Sequence, residues 1–179
     1  IIAAVDIMQK GLVGELVSLS TETRVYTTWH LWSWLLDSPH MELLYNSIHH
    51  IDLFRYLSGQ EPRAVFSDGA NQPGEKLKGE SRSLTRMIFD GPLRGTVWSE
   101  HGYAGGDDQR ETVRIDGTEG AIVIELGLDK NYPNGKEDEF KFFSRKFMSN
   151  CWLHCDIPGS WLPDGFVGTM ASLLRTVNG

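Results

Sequence analysis

The sequence predicts an α+β domain: an open, mainly antiparallel β-sheet with helices on one face and the other face available for dimer packing. Three observations carry that expectation. A long helical pattern comes before a run of strands. The strands are joined by connections too short for parallel crossovers, which need about a dozen residues or more. A second helical pattern follows, and no repeat or change in composition divides residues 1–179 into two domains.

Each element has its own signal. Ile2, Val5 and Met8 recur at helical spacing, and Lys10-Gly11 supplies a basic last turn and a glycine exit. From Gly14 the period changes to two. Val17, Leu19, Thr21, Thr23 and Val25 share one face of a strand, while Leu16, Ser18, Ser20 and Glu22 take the other. Asp37-Ser38-Pro39 opens the strongest helix, with an Asp or Ser cap and Pro in the first turn. It runs to Ser58, where Gly59 provides a left-handed exit and Pro62 prevents resumption. Strands are expected at Arg63–Ser67, Ser83–Phe89, Arg94–His101, Glu111–Asp116, Ala121–Leu126 and Glu139–Phe147. Asn71–Glu80 and Asp129–Asp138, rich in Gly, Pro and charge, are expected to be exposed loops. Phe166, Met170, Leu173, Leu174 and Val177 mark one side of a closing helix.

Composition narrows the function classes. The 179 residues carry a net charge of −7 and are 40 % apolar and 23 % charged, which is ordinary for a globular chain. Six Trp, eight Phe and five Tyr argue against intrinsic disorder. A pI near 5.3 argues against nucleic acid or an anionic membrane as partner. No apolar run approaches the ~20 residues of a membrane span. The start, Ile1 to Asp6, lacks the basic onset and cleavage site of a signal peptide, and it has no initiator Met. A piece of a longer protein is therefore expected. Two cysteines are too few for a secreted disulfide scaffold, so the cytoplasm is the expected location.

The chemistry concentrates on the helix after Pro39. Tyr45, His49, Asp52 and Tyr56 recur at steps of four, three and four, which align on one helical face. Imidazole has an ordinary pKa of about 6.5, suited to proton transfer near neutrality. A carboxylate one turn away orients the ring or raises its basicity, unless Asp52 merely pairs with Arg55. His50 lies about 100° round the helix and reads as a packed or surface residue. Among Trp29, Trp32 and Trp34, at least two are expected to close the core or a subunit contact, with Trp29 kept as a pocket candidate. Cys151, His154 and Cys155 fall short of the four ligands of a structural zinc site, so inert thiols beside a turn are expected and no metal. His101 is read as an exposed loop histidine at a strand end.

The stretch Tyr45-Asn46-Ser47-Ile48-His49-His50-Ile51-Asp52, continuing through Gly59 and Glu61-Pro62 to Val65, resembles the second domain of the glucose–fructose oxidoreductase / inositol dehydrogenase (Gfo/Idh/MocA) family. In that family a helix bearing Asp-x-x-x-His-x-x-Asp leads through Gly and Glu-Pro into a strand. Gly11-Leu12-Val13-Gly14-Glu15-Leu16, Asp116-Gly117-Thr118-Glu119-Gly120-Ala121-Ile122 and Phe166-Val167-Gly168-Thr169-Met170 are similar too, in the same order. The resemblance implies the C-terminal substrate-binding and dimerisation domain of an NAD(P)-dependent oxidoreductase acting on a sugar, polyol or related carbonyl compound. It implies His49 as the catalytic acid/base. Tyr45, Asp52 and Trp29 are the expected substrate-binding residues. The family's Asp falls at Tyr45, and a phenol with a pKa near 10 supplies a hydrogen bond but not the negative charge.

The chain has no Gly-x-Gly-x-x-Gly and no Lys-Pro, the dipeptide that holds the family's catalytic lysine. NAD or NADP is therefore expected to bind mainly through an absent N-terminal Rossmann domain, with no cofactor-binding residues in this fragment. The fragment alone is expected to be inactive, and a homodimer or higher homo-oligomer is the expected assembly. The alternative is a non-catalytic binding or assembly module that retains the fold, which the change to Tyr45 favours.

Overall fold

A computed structural model describes residues 1–27, 29–130, 135–157 and 164–178. Its framework is one eight-stranded sheet. The strands are β1 (Leu16–Arg24), β2 (Ala64–Ala70), β3 (Arg82–Ile88), β4 (Arg94–Glu100), β5 (Arg110–Gly117), β6 (Gly120–Leu126), β7 (Glu139–Ser144) and β8 (Met148–Cys155). Their order is β2-β3-β4-β1-β5-β6-β7-β8. Every neighbouring pair is antiparallel except β1 and β4, which run parallel from Ser18 opposite Arg94 to Arg24 opposite Glu100. The exception follows from chain length. Between β1 and β4 lie the helical region and the β2–β3 hairpin, ample for a crossover.

One face of the sheet is covered by α1 (Ile2–Gln9) and α2 (Ile48–Ser58). Alternation places Leu19, Met87, Val97, Val113, Ile115 and Ile122 beneath them, with Ala4 of α1 and Phe54 of α2 in the same core. Burying a ring such as Phe54 completely is worth about 1.5–3 kcal/mol. It is seated over Gly95, where an added Cβ would lie 2.9 Å from the Phe54 ring. The glycine thus lets the helix approach the sheet. At the end of α2, Gly59 adopts φ +65° and donates its N–H to the Arg55 carbonyl at 2.8 Å.

The opposite face has no covering layer among the described residues. Phe66, Leu84 and Trp98 are exposed there among Arg86, Glu22 and Arg24, and Arg24 stacks 4.3 Å from the Trp98 ring centroid.

Several expectations need correcting. The segment Glu139–Phe147 is not one strand: β7 stops at Ser144, the chain turns, and β8 returns beside it. The turn has no Gly, Pro or Asn to announce it. Ser144 builds it instead, donating its hydroxyl to the Leu12 carbonyl at 2.6 Å and accepting the Lys146 N–H at 3.2 Å. Cys151 and Cys155 accordingly lie in a strand, as free thiols, and not beside a turn.

The main helix also begins differently. Trp29–Asp37 is 3₁₀-helical with a break at Trp32 (φ −131°, ψ 58°), Pro39-His40 form a turn, and Leu43–Ser47 is a π-helical stretch running directly into α2. The buried Ser38 hydroxyl has no hydrogen-bond partner, so it does not cap. The Asn71–Glu80 loop is only partly exposed. Leu77 is buried against Leu35 and Met41, and Asn71 and Glu75 bond Ser81. The loop predicted at Asp129–Asp138 includes residues 131–134, which lie outside the described residues. The closing helix α3 (Val167–Asn178) forms as expected, and Met170, Leu173, Leu174 and Val177 are exposed along it.

Candidate functional site

The register brings four chain segments to one end of the sheet. β1 and β4 finish there, β5 begins there, and β6, antiparallel to β5, finishes there too. Between these ends and the helical region lies a cavity of about 380 Å³. Val25, Tyr26 and Thr27 line it from the exit of β1, Trp32, Trp34, Leu35 and Met41 from the 3₁₀ segment and its turn, and Tyr45 and Asn46 from the π-helical stretch. His101, Gln109 and Asp129 complete the wall. The Tyr45 and Trp34 rings meet edge to face, with centroids 5.2 Å apart at 78°.

Behind the cavity sits a polar network anchored by Glu42, which is fully buried. One of its oxygens accepts the Ser47 hydroxyl at 2.6 Å and the Asn46 amide at 3.2 Å, and the other lies 2.7 Å from His101 Nε2. Asn46 also donates to Ser99 Oγ at 3.1 Å, and His101 Nδ1 is 2.9 Å from Thr27 Oγ1. Burial pushes the Glu42 carboxyl up, yet the bond and charge of His101, with the Ser47 and Asn46 bonds, outweigh it and hold the group below its ordinary value. A second acidic pair lies alongside. Burial, then the neighbouring Asp129 carboxylate, push Glu111 well above the usual range. Burial also raises Asp129, against the hydrogen bond it accepts from Glu111. Each carboxyl therefore gives up its proton less readily than it would in water.

His50 is buried under α2, its Nε2 3.4 Å from Thr23 Oγ1 and 3.8 Å from Glu111 Oε1. Burial lowers its pKa from 6.5 to about 4, and the nearby Glu42 charge only partly opposes that. The unfolded chain takes up a proton here below pH ~6.5, whereas the folded chain refuses it until about pH 4. This contribution to stability therefore falls by about 3 kcal/mol as pH drops through that window. The raised Glu111 and Asp129 act oppositely, losing stability as pH rises. An NMR titration is expected to place the His50 ring midpoint near pH 4, and His50→Gln is expected to lack the corresponding slope. A midpoint near 6.5 would contradict the burial account.

The predicted stripe is an exposed helical face: Tyr45, His49, Asp52 and Tyr56 are all exposed. Tyr45 lines the cavity, and His49 stands one turn beyond it without lining it. Asp52 is 3.0 Å from Arg55, which also binds Glu61, and does not reach the cavity wall. The Trp29 side chain lies outside the described residues. One reading is overturned here. His101 is not an exposed loop residue: backbone bonds to Ser81 and Thr27, each 3.0 Å, tie it to the sheet, and Glu42 holds its ring. Trp32 and Trp34 both line the cavity, and Trp32 also packs against the small core of Leu35, Met41 and Leu77. Sequence reasoning missed Glu42, Glu111 and Asp129 altogether. Each reads as an ordinary surface charge in its local pattern, and only the strand register unites them. Among the described residues no group of three or more His, Cys, Asp or Glu side chains is placed to hold a metal, and no helix is long and apolar enough to cross a membrane.

The sequence model of the GFO/IDH/MocA C-terminal domain matches residues 1–123, more than half of the chain. The chain belongs to this family. No curated protein matches it in a sequence search. Among solved structures, this Gfo/Idh/MocA domain is similar to an oxidoreductase from Agrobacterium radiobacter in complex with NAD+, L-tartaric acid and magnesium, at 18 % identity and TM-score 0.68 over 90 % of this chain and 45 % of that one. It is similar to the aldose-aldose oxidoreductase of Caulobacter crescentus complexed with glycerol, at 16 % and 0.67 over 89 % and 44 %. An inositol dehydrogenase homolog from Azotobacter vinelandii, complexed with NADH and myo-inositol, matches at 15 % and 0.67 over 92 % and 41 %. The domain thus spans less than half the length of each of these proteins. At such identities the likeness establishes the fold.

Proposed function

We propose that this chain is the substrate-side domain of an NAD(P)-dependent oxidoreductase acting on a sugar, polyol or related carbonyl compound. The observation that carries the reading is the aromatic-lined cavity at the strand ends, flanked by the exposed Tyr45–His49 face. Rings such as Trp34 and Tyr45 suit the apolar face of a saturated ring, and the polar wall suits its hydroxyls. This chain's residues do not fit the dinucleotide phosphates, because none of its strand–helix turns has the glycine-rich pattern. The nucleotide would be held mainly by a further, Rossmann-type segment and would supply the hydride exchange. Within this chain, His49 moves a proton at the substrate oxygen, Tyr45 donates a hydrogen bond to orient it, and the wall of Trp32 and Leu35 excludes water. Asp52, engaged by Arg55, steadies the helix beside His49.

The test is an assay of the full-length protein with NAD(H) and NADP(H) against aldoses, polyols and their keto forms. Turnover on at least one is expected. None on any of them favours a non-catalytic binding or assembly module, which the phenol at position 45 already suggests. We further propose that the uncovered sheet face around Phe66, Leu84 and Trp98 packs against a second copy. Sedimentation at micromolar concentration is expected to show a dimer or larger species, and a strict monomer contradicts this. A reducing cytoplasm suits the two free thiols.

A further inference from the structure

The charge around the cavity is one-sided. Three carboxyl groups gather here, Glu42 in the wall network, Asp129 in the lining and Glu111 beside it, and face the single imidazole of His101. His50 stays neutral near pH 7. None of the described lining residues is Lys or Arg. The nearby cations are already engaged, Arg110 by Asp108 and Glu22, and Lys130 by Glu125 and Glu139. The sequence segments outside the described residues contain neither Lys nor Arg. A phosphate or carboxylate entering this space would find no strong counter-charge and would face buried acids in a low dielectric.

The aromatic rings carry the same preference. Tyr26, Trp34 and Tyr45 line the cavity and are 60 %, 59 % and 46 % exposed, so these electron-rich rings are open to a ligand. From the acidic wall and the open aromatic rings together, we propose that this cavity selects a polyhydroxy substrate bearing an amino group, an amino sugar or aminocyclitol, over its neutral and acidic counterparts. The ammonium sits between Asp129 and the rings of Tyr45 and Trp34, and the hydroxyls meet Asn46 and Gln109. This rests on the reading that the cavity is the substrate side of the domain.

Equilibrium binding of glucosamine, glucose and glucuronate to the full-length protein tests it, by calorimetry and by the fluorescence of Trp32 and Trp34. Glucosamine is expected to bind about ten-fold more tightly than glucose, and glucuronate more weakly than both. Asp129→Asn is expected to remove the advantage of glucosamine over glucose. The wild-type ranking stands without that variant if the variant does not fold. Glucuronate binding as tightly as glucosamine overturns the proposal, and so does the absence of binding by all three. Nicotinamide absorbance, read separately, tests the oxidoreductase proposal: an amine preference without turnover sinks the enzyme reading and leaves the charge preference standing.

Discussion

His49→Ala in the full-length protein is expected to lower turnover by about 10²–10⁴-fold, the usual scale for removing a positioned acid or base. The expectation rests on where the imidazole stands. It is exposed on α2, one turn after Tyr45 of the π-helical stretch, and it is not committed to the polar network that holds its neighbour His50. Adjacent residues on a helix are about 100° apart, which separates the two rings: one is buried and neutral, the other exposed. KM is expected to change little, because the cavity wall itself is untouched. A His49→Ala enzyme with undiminished kcat would remove this residue from the mechanism. Thermal unfolding of the variant serves as the control and should match the parent, since an exposed side chain with little packing contributes little to stability.

Glu42→Ala is expected to destabilise the domain by about 3–5 kcal/mol, the range for breaking a buried charged pair by removing one partner. Three donors depend on this one carboxylate. Ser47, Asn46 and His101 all converge on it from within 3.2 Å, and it is itself fully buried. Truncation removes an acceptor from each of these groups and opens a void beneath the π-helical stretch that carries Tyr45 and Asn46. Glu42→Gln retains the volume and one carbonyl acceptor and should cost less. Chemical denaturation of both variants distinguishes the two costs. A loss below 1 kcal/mol for the alanine variant would mean that the network contributes no net stability.

The sheet was largely legible because its signals are local. Alternation from Leu16 to Arg24, the turn at Asp90-Gly91-Pro92 and the tight Gly117–Gly120 connection each report on neighbours in sequence. The strand β8 was not legible, because its turn is made by Ser144 reaching across to Leu12. The same distinction divides the site. Tyr45 and His49 were picked out by spacing alone, and both are exposed, with Tyr45 on the cavity. Thr27, His101 and Asp129 are far apart along the chain and meet only after the β1–β4 and β5–β6 registers are set. Glu42 sits in a helical run where acidic residues ordinarily face water, so nothing local marks it as the centre of a network. The Trp-rich segment has neither a strand nor an α-helical period, and two 3₁₀ turns broken at Trp32 bring Trp32 and Trp34 to the cavity.

The central claim is that the Tyr45–His49 face and the cavity beside it form one half of a cleft whose other half carries the nicotinamide. A crystal structure of the full-length protein with bound nucleotide and a polyol tests it most directly. The account predicts the His49 imidazole within about 2.6–3.2 Å of a substrate oxygen, with the Trp34 and Tyr45 rings against the substrate. A nucleotide seated over the Phe66–Trp98 face of the sheet, with His49 turned to solvent, would contradict it.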